Sequence, residues 1–376
     1  MNLGILLGYN SKKKKFNSET ELLRFLFACG ILSYHYVMSS GGFESIFGFK
    51  YGYYGVEFFF IITGILMART ADKIRSTGEQ INSDTVGPLT KTFLLNKIKV
   101  FLPYMFIAIV IYVALYAIFY GFNWEFIREV IEQIPNYMLL TVGGFSVNGF
   151  LAISVLWYLS AMIIGLLILF PIYILHPNLS KFVIFPLIAI FSLGYLFMEW
   201  GSVAWPNQWV GITNAGLLRG LGEMALGVCC YELITKLNAT NLTRWGTAVI
   251  TILKVFLILF VFYNIIGFSS PEIHSASILI LIAFMTIIVC SNQGYRIPDG
   301  NKFCIFLGSL SLPIYLFHPC IYTIFDMYMG RAWNCDNLLE ITFVVGVFSI
   351  VMVLCLNILK YYHFGEKVLG LFVKKE

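Results

Sequence analysis

Residues 99–120 read KVFLPYMFIAIVIYVALYAIFY, an unbroken apolar and aromatic stretch behind a single lysine. Its length matches the roughly 20 residues that carry a helix across a hydrocarbon layer about 30 Å thick. A helix is required, because lipid offers the backbone no hydrogen-bonding partner. Comparable runs occupy 20–40 and 52–70 before it, and 150–174, 182–199, 211–235, 247–267, 274–291, 303–325 and 339–362 after it. The expected fold is all-α: a polytopic integral membrane protein of about ten transmembrane helices, one domain over residues 1–376.

Composition agrees. Of the 376 residues 59% are hydrophobic and only 12% charged, with mean hydropathy +0.81. A soluble domain carries about 25% charged residues, because its surface faces water. No gap between runs exceeds about 30 residues, which leaves no place for a separate soluble domain. The eight cysteines show no Cys-x-x-Cys pair, so neither a zinc site nor a disulfide framework is expected. Lys12–Lys15 precede a first run that is too long for a secretory signal and lacks a small-residue cleavage site, so that run reads as the first span.

Lysine and arginine placement gives the expected sidedness. With the N-terminus inside, alternate connections collect 19 of the 25 basic residues, including Arg69, Lys73, Lys97, Lys99, Lys181, Arg244 and Lys374. The outer connections hold Lys50, Arg128 and Arg331, together with the acidic Glu125, Glu129, Glu132, Glu272, Asp336 and Glu340. A miscounted span would invert every later loop and spoil this asymmetry. Both termini are thus expected in the cytoplasm, in a multi-pass protein of the plasma or inner membrane. Lys254 is expected to snorkel to the cytoplasmic interface.

Ionisable side chains within the runs carry the chemistry. A charge at mid-membrane costs at least about 2.5–3.5 kcal/mol, so it faces a cavity or a partner. Arg24 and His35 lie eleven residues apart, on nearly one face and about 16 Å apart along the axis. In the ten-helix topology His35, Glu57 and His318 fall at similar depth. A neutral imidazole can take a proton from a hydroxyl and return it to a leaving group, and a carboxylate beside it orients the ring. Equally, His35 and Glu57 could form a buried pair that holds two helices together, and His318 could cap a break at Pro319. Arg219 and Glu223, four residues apart, can pair with each other or line the same cavity.

The motifs then resemble a known family, acyltransferase 3, the membrane acyltransferases that include bacterial sugar O-acetyltransferases. The resemblance is carried by Arg24-x10-His35, by Gly55-Val56-Glu57-Phe58-Phe59-Phe60-Ile61-Ile62-Thr63-Gly64, by Lys97-Ile98-Lys99 before Pro103-Tyr104, and by Ser309-x5-Tyr315-Leu316-Phe317-His318. Thr63 stands where the family usually has serine, and lysines stand where it has arginines. Lysine supplies charge without the planar fork. The resemblance implies transfer of an acyl group, usually acetyl from acetyl-CoA, to the hydroxyl of a cell-surface glycan or its lipid-linked precursor. It implies His35 as catalytic base with Glu57 as its partner, Arg24, Lys97 and Lys99 as holders of the CoA phosphates, and Tyr315 and His318 on the acceptor side, opposite Arg219 and Glu223. Whether His35 acts on the hydroxyl or first accepts the acyl group stays open. The implied partners are acyl-CoA, the glycan or lipid-linked sugar and membrane lipids, with neither nucleic acid nor metal. The rival reading is a transporter or flippase of a lipid-linked sugar, although no internal repeat of the kind such folds carry is visible.

Overall fold

A computed structural model describes residues 17–40, 49–78, 80–145, 149–267, 275–329 and 338–361. Lys12–Lys15, Glu272, Arg331, Cys335, Asp336, Lys367, Lys374 and Lys375 lie outside the described residues.

Each of the apolar runs is occupied by one long helix. In chain order these are α1 (Ser18–Ser40), α2 (Gly55–Arg75) and α3 (Ser83–Tyr120), then, beyond two short helices described below, α6 (Leu156–Leu175), α7 (Phe185–Trp200), α8 (Ala215–Asn238), α9 (Arg244–Ile266), α10 (Ser275–Cys290), α11 (Lys302–Met329) and α12 (Leu338–Tyr361). Among the described residues six stretches, in α2, α3, α6, α7, α9 and α11, are long and apolar enough to cross a membrane, and α10 and α12 contain shorter apolar helices. The protein is an all-helical, multi-pass membrane protein.

Three boundaries depart from the sequence pattern. Helix α3 starts well before the apolar stretch, because Asn82 forms a capping box with Thr85: its side chain accepts from Asp84 N and Thr85 N, both at 3.0 Å. Its 38 residues rise about 57 Å, more than the hydrocarbon layer needs. The connection after it is not a plain loop. Gly121 ends α3 at φ +75, and the chain folds into α4 (Trp124–Glu132) and α5 (Ile134–Tyr137). Between α7 and α8 lies a small hairpin, β1 (Trp209–Val210) against β2 (Thr213–Asn214), turning through Gly211 at φ +58.

The most extensive helix pairings among the described residues are α1 with α11 and α2 with α8. The second has a visible cause. A Cβ on Gly64 would lie 2.0 Å from the carbonyl oxygen of Met224, and one on Gly227 would lie 2.2 Å from that of Ile61. Two glycines thus let the backbones of α2 and α8 touch, the close approach that small residues permit between membrane helices. Gly52, in the 3-10 turn Gly52–Tyr54, does the same against α1, where an added Cβ would lie 2.0 Å from the oxygen of Gly30.

Lys254 corrects one expectation. It does not snorkel: it is buried on α9, with Nζ 2.7 and 2.8 Å from the two carboxylate oxygens of Glu19 and 2.6 Å from the carbonyl of Tyr295. A carboxylate at the start of α1 supplies the partner that snorkelling would otherwise have sought in the headgroups.

Candidate functional site

The two histidines meet. His35 on α1 and His318 on α11 have ring centroids 5.1 Å apart, a consequence of the long α1–α11 contact. Pro319 has no N–H, so the helix cannot continue its ladder to the carbonyl of Tyr315. The histidine before it bonds locally instead, with Nδ1 3.1 Å from the carbonyl of Ile314. A carbonyl only accepts, so this contact puts the proton on Nδ1 and leaves the lone pair on Nε2. That Nε2 is buried and has no hydrogen-bond partner among the described residues. Tyr315, one turn back, is spent elsewhere: its hydroxyl donates to the carbonyl of Val155 at 2.6 Å.

Glu57, expected beside His35, is engaged by Arg219. Arg219 Nη2 lies 3.0 Å from Glu57 Oε1, while Nε donates to Glu223 Oε1 at 3.0 Å. Nη2 also reaches the carbonyl of Tyr53 at 3.4 Å, and the guanidinium lies 5.5 Å from the centroid of the Trp157 ring. All three charged side chains are buried, Arg219 at 1% exposure and both glutamates at 0%. Arginine suits this place, since its planar fork serves two carboxylates and its face stacks on an indole. Both oxygens of Glu57, whose Oε1 meets the guanidinium only as an ion pair, and Oε2 of Glu223 accept no hydrogen bond from the described residues. Such orphaned buried acceptors are rare in native structures and call for a reason.

Aromatic rings join the two clusters. Tyr34 lies 5.4 Å from His35 and 5.2 Å from Tyr53, whose carbonyl is the one Arg219 holds. On the other side Tyr158 lies 5.6 Å from Tyr315, which lies 6.1 Å from His318. Tyr322 closes the layer, donating to the carbonyl of Leu32 with its ring 5.4 Å from His318. Sequence reasoning missed Tyr34, Tyr53, Trp157, Tyr158 and Tyr322, because an aromatic residue inside an apolar run carries no mark separating a site wall from ordinary packing.

The basic residues are more dispersed. Arg24 holds both oxygens of Glu21, one turn back, at 3.1 and 2.9 Å. Glu21 fits against α11 only because residue 308 is glycine, where a Cβ would lie 2.1 Å from Oε2. Lys97 sits 5.6 Å from the centroid of the Phe93 ring, and Lys99 is exposed.

A family model described as an acyltransferase domain matches residues 17–361. The chain belongs to the acyltransferase 3 family. No curated protein and no solved structure matches it. As an acyltransferase it takes an acyl donor and an acceptor, and the family's glycine-bounded signature acquires a physical meaning. Gly55 brings α2 close to α1, since an added Cβ would lie 3.0 Å from the oxygen of Phe27, and Gly64 brings α2 onto α8. Phe58 stacks on Phe27 at 4.5 Å, and Phe60 packs against Tyr158 at 4.5 Å. The acyltransferase signature is thus a stretch of helix squeezed between α1, α8 and α6, with Glu57 aimed at Arg219.

Proposed function

We propose that this acyltransferase moves an acetyl group from acetyl-CoA on the cytoplasmic side to a hydroxyl of a cell-surface glycan or its lipid-linked precursor. The observation that carries the proposal is the His35–His318 pair, held 5.1 Å apart in the aromatic layer, with Nε2 of His318 unpartnered among the described residues. A sugar is rich in hydroxyl donors, and the layer is rich in acceptors without a hydrogen-bond donor among the described residues: His318 Nε2, both oxygens of Glu57 and Glu223 Oε2.

The exposed Lys99, with the partly exposed Arg24 and Lys97, offers cations of the kind that hold a polyphosphate, and these three would bind the CoA moiety. Acetyl-CoA supplies the acyl group in activated form, as a thioester. His35 takes the proton from the acceptor hydroxyl as its oxygen bonds the acyl carbon, and returns that proton to the departing thiolate sulfur. His318 accepts a neighbouring hydroxyl hydrogen bond through Nε2 and orients the acceptor. Glu57, Arg219 and Glu223 fix the wall opposite; Glu57 assists His35 through the Arg219–Tyr53–Tyr34 contacts. All ten long helices cross the bilayer in this reading, with both termini cytoplasmic in the plasma or inner membrane. The Lys and Arg asymmetry supports that sidedness.

Transfer of labelled acetyl from acetyl-CoA into surface glycan by membranes carrying the protein tests the assignment. His35→Ala is expected to lower incorporation at least about 100-fold, the usual contribution of a general base, with the protein still inserted at normal level. Undiminished incorporation by that variant would remove His35 from catalysis. Unexported precursor accumulating in its absence, with acetylation unchanged, would point instead to transport.

A further inference from the structure

The segment α4–α5 is built inside out for a soluble helix. Three residues at spacings of four and three, Glu129, Gln133 and Asn136, are buried against the protein, at 6%, 0% and 4% exposure. The opposite face carries Trp124, Ile127, Ile131, Ile134 and Met138, also at spacings of three and four, and all are exposed, Trp124 at 76% and Met138 at 65%. Between the two lies a charged sector of Glu125, Arg128 and Glu132, in which Arg128 Nε and Glu132 Oε1 are 3.5 Å apart. At about 100° per residue these make three separate stripes down one helix.

Polar bonds lock the rotation. Glu129 Oε1 accepts from Gln133 Nε2 at 3.2 Å and from the backbone N–H of Leu151 at 3.3 Å. Asn136 Nδ2 donates to Gln133 Oε1 at 3.3 Å, and Thr141 Oγ1 donates to Asn136 Oδ1 at 3.1 Å. Tyr137 donates to the carbonyl of Leu151 at 2.9 Å. Gly149 makes room, since a Cβ there would lie 1.8 Å from Glu129 Oε1. The helix cannot roll to hide its apolar stripe without abandoning this network and burying its charges.

The geometry points to α4–α5 lying in the membrane–water boundary at the Tyr120 end of α3, with its apolar stripe buried among lipid acyl chains and its charged stripe at the headgroups. The occupant is lipid because the stripe continues a surface that already faces it. Ile118 and Tyr120, at the end of the membrane-crossing α3, are 74% and 60% exposed, and Phe122 bridges the turn at 80%. An apolar face opposed by charge, with aromatic residues at its end, is the composition of an interfacial helix. The inference holds whichever acceptor the enzyme uses.

The test is site-specific photocrosslinking of the full chain in native membranes. The photoreactive amino acid p-benzoylphenylalanine, itself apolar and aromatic, replaces Ile131 or Ile127 on the apolar stripe, or Arg128 on the charged one. After irradiation, mass spectrometry is expected to find phospholipid acyl-chain adducts at Ile131 and Ile127 at least 5-fold above those at Arg128. Equal adduct yields on the two stripes would overturn the placement. So would crosslinks from Ile131 or Ile127 chiefly to a second copy of the chain or to another protein. Replacement at Trp124, one turn from Ile127, gives an independent reading should either isoleucine variant fail to accumulate.

Discussion

Helices α2 and α8 carry two clusters of the same formula, one cation between two carboxylates, at separate positions along their contact. In the first, Arg219 sits between Glu57 and Glu223, each 3.0 Å away, with side chains at most 2% exposed. In the second, Lys181, from the π-helical turn Ser180–Ile184 that leads into α7, lies 3.2 Å from Asp72 and 3.6 Å from Glu232, and its partners are 30% and 20% exposed. Asp72 also accepts from the hydroxyl of Tyr173 at 3.0 Å. The difference lies in solvation. Lysine is a compact, well-hydrated charge on a flexible stem, and its cluster can share its strain with water. The guanidinium in the core is desolvated, so its value depends on the geometry of its fork and on both partners remaining in place. The outer cluster is a latch between α2, α7 and α8. The inner one leaves both oxygens of Glu57 and one of Glu223 without a hydrogen bond from the described residues, beside the histidine layer, which a latch has no need to do.

The contrast can be broken most severely at Arg219. Arg219→Met leaves two buried carboxylates without their cation and is expected to cost about 3–5 kcal/mol. Thermal unfolding of the detergent-solubilised protein reads this, and adding Glu57→Gln and Glu223→Gln should recover much of it. A loss no larger than that of the corresponding lysine variant would abolish the distinction between the clusters. Next comes the crossing on which both depend. Gly64→Ala puts a methyl where the carbonyl of Met224 stands, so α2 and α8 must part, at a cost of about 1–3 kcal/mol. Acyl transfer is expected to fall along with stability, because Glu57 moves with α2. The smallest effect is expected at Lys181→Met, about 1 kcal/mol or less, diminishing further at high ionic strength because the outer cluster is screened and the inner one is not. A salt-insensitive loss of several kcal/mol at Lys181 would show that its cluster is desolvated like the inner one.

The tripartite face of α4–α5 sharpens the same lesson from the other direction. Glu129, buried at 6% exposure, was legible in sequence only as one of several acidic residues in an outer connection. Its neighbours Glu125 and Glu132 stay on the charged stripe. Three glutamates within eight residues therefore have different fates, settled by helix phase and by a backbone N–H that Leu151 brings from far along the chain.

The linear order of residues determined the helices themselves. Apolar runs such as 99–120 have nowhere to place their backbone polar groups in lipid except within the same segment, so each run dictates its own element without help from any other. Sequence also determined that Arg24, His35, Glu57, Arg219, Glu223 and His318 would need partners, because burial of a charge or an imidazole is costly wherever it happens. Which partner each one takes was decided by tertiary structure alone. Glu57 goes to Arg219 because Gly64 and Gly227 bring α2 onto α8, and His35 goes to His318 because α1 runs along α11. Lys254 goes to Glu19 although 235 residues separate them. Local periodicity records which face of a helix is apolar. It holds no record of which helix that face will meet, since the attraction between packed membrane helices resides in close contacts formed only once the bundle is assembled.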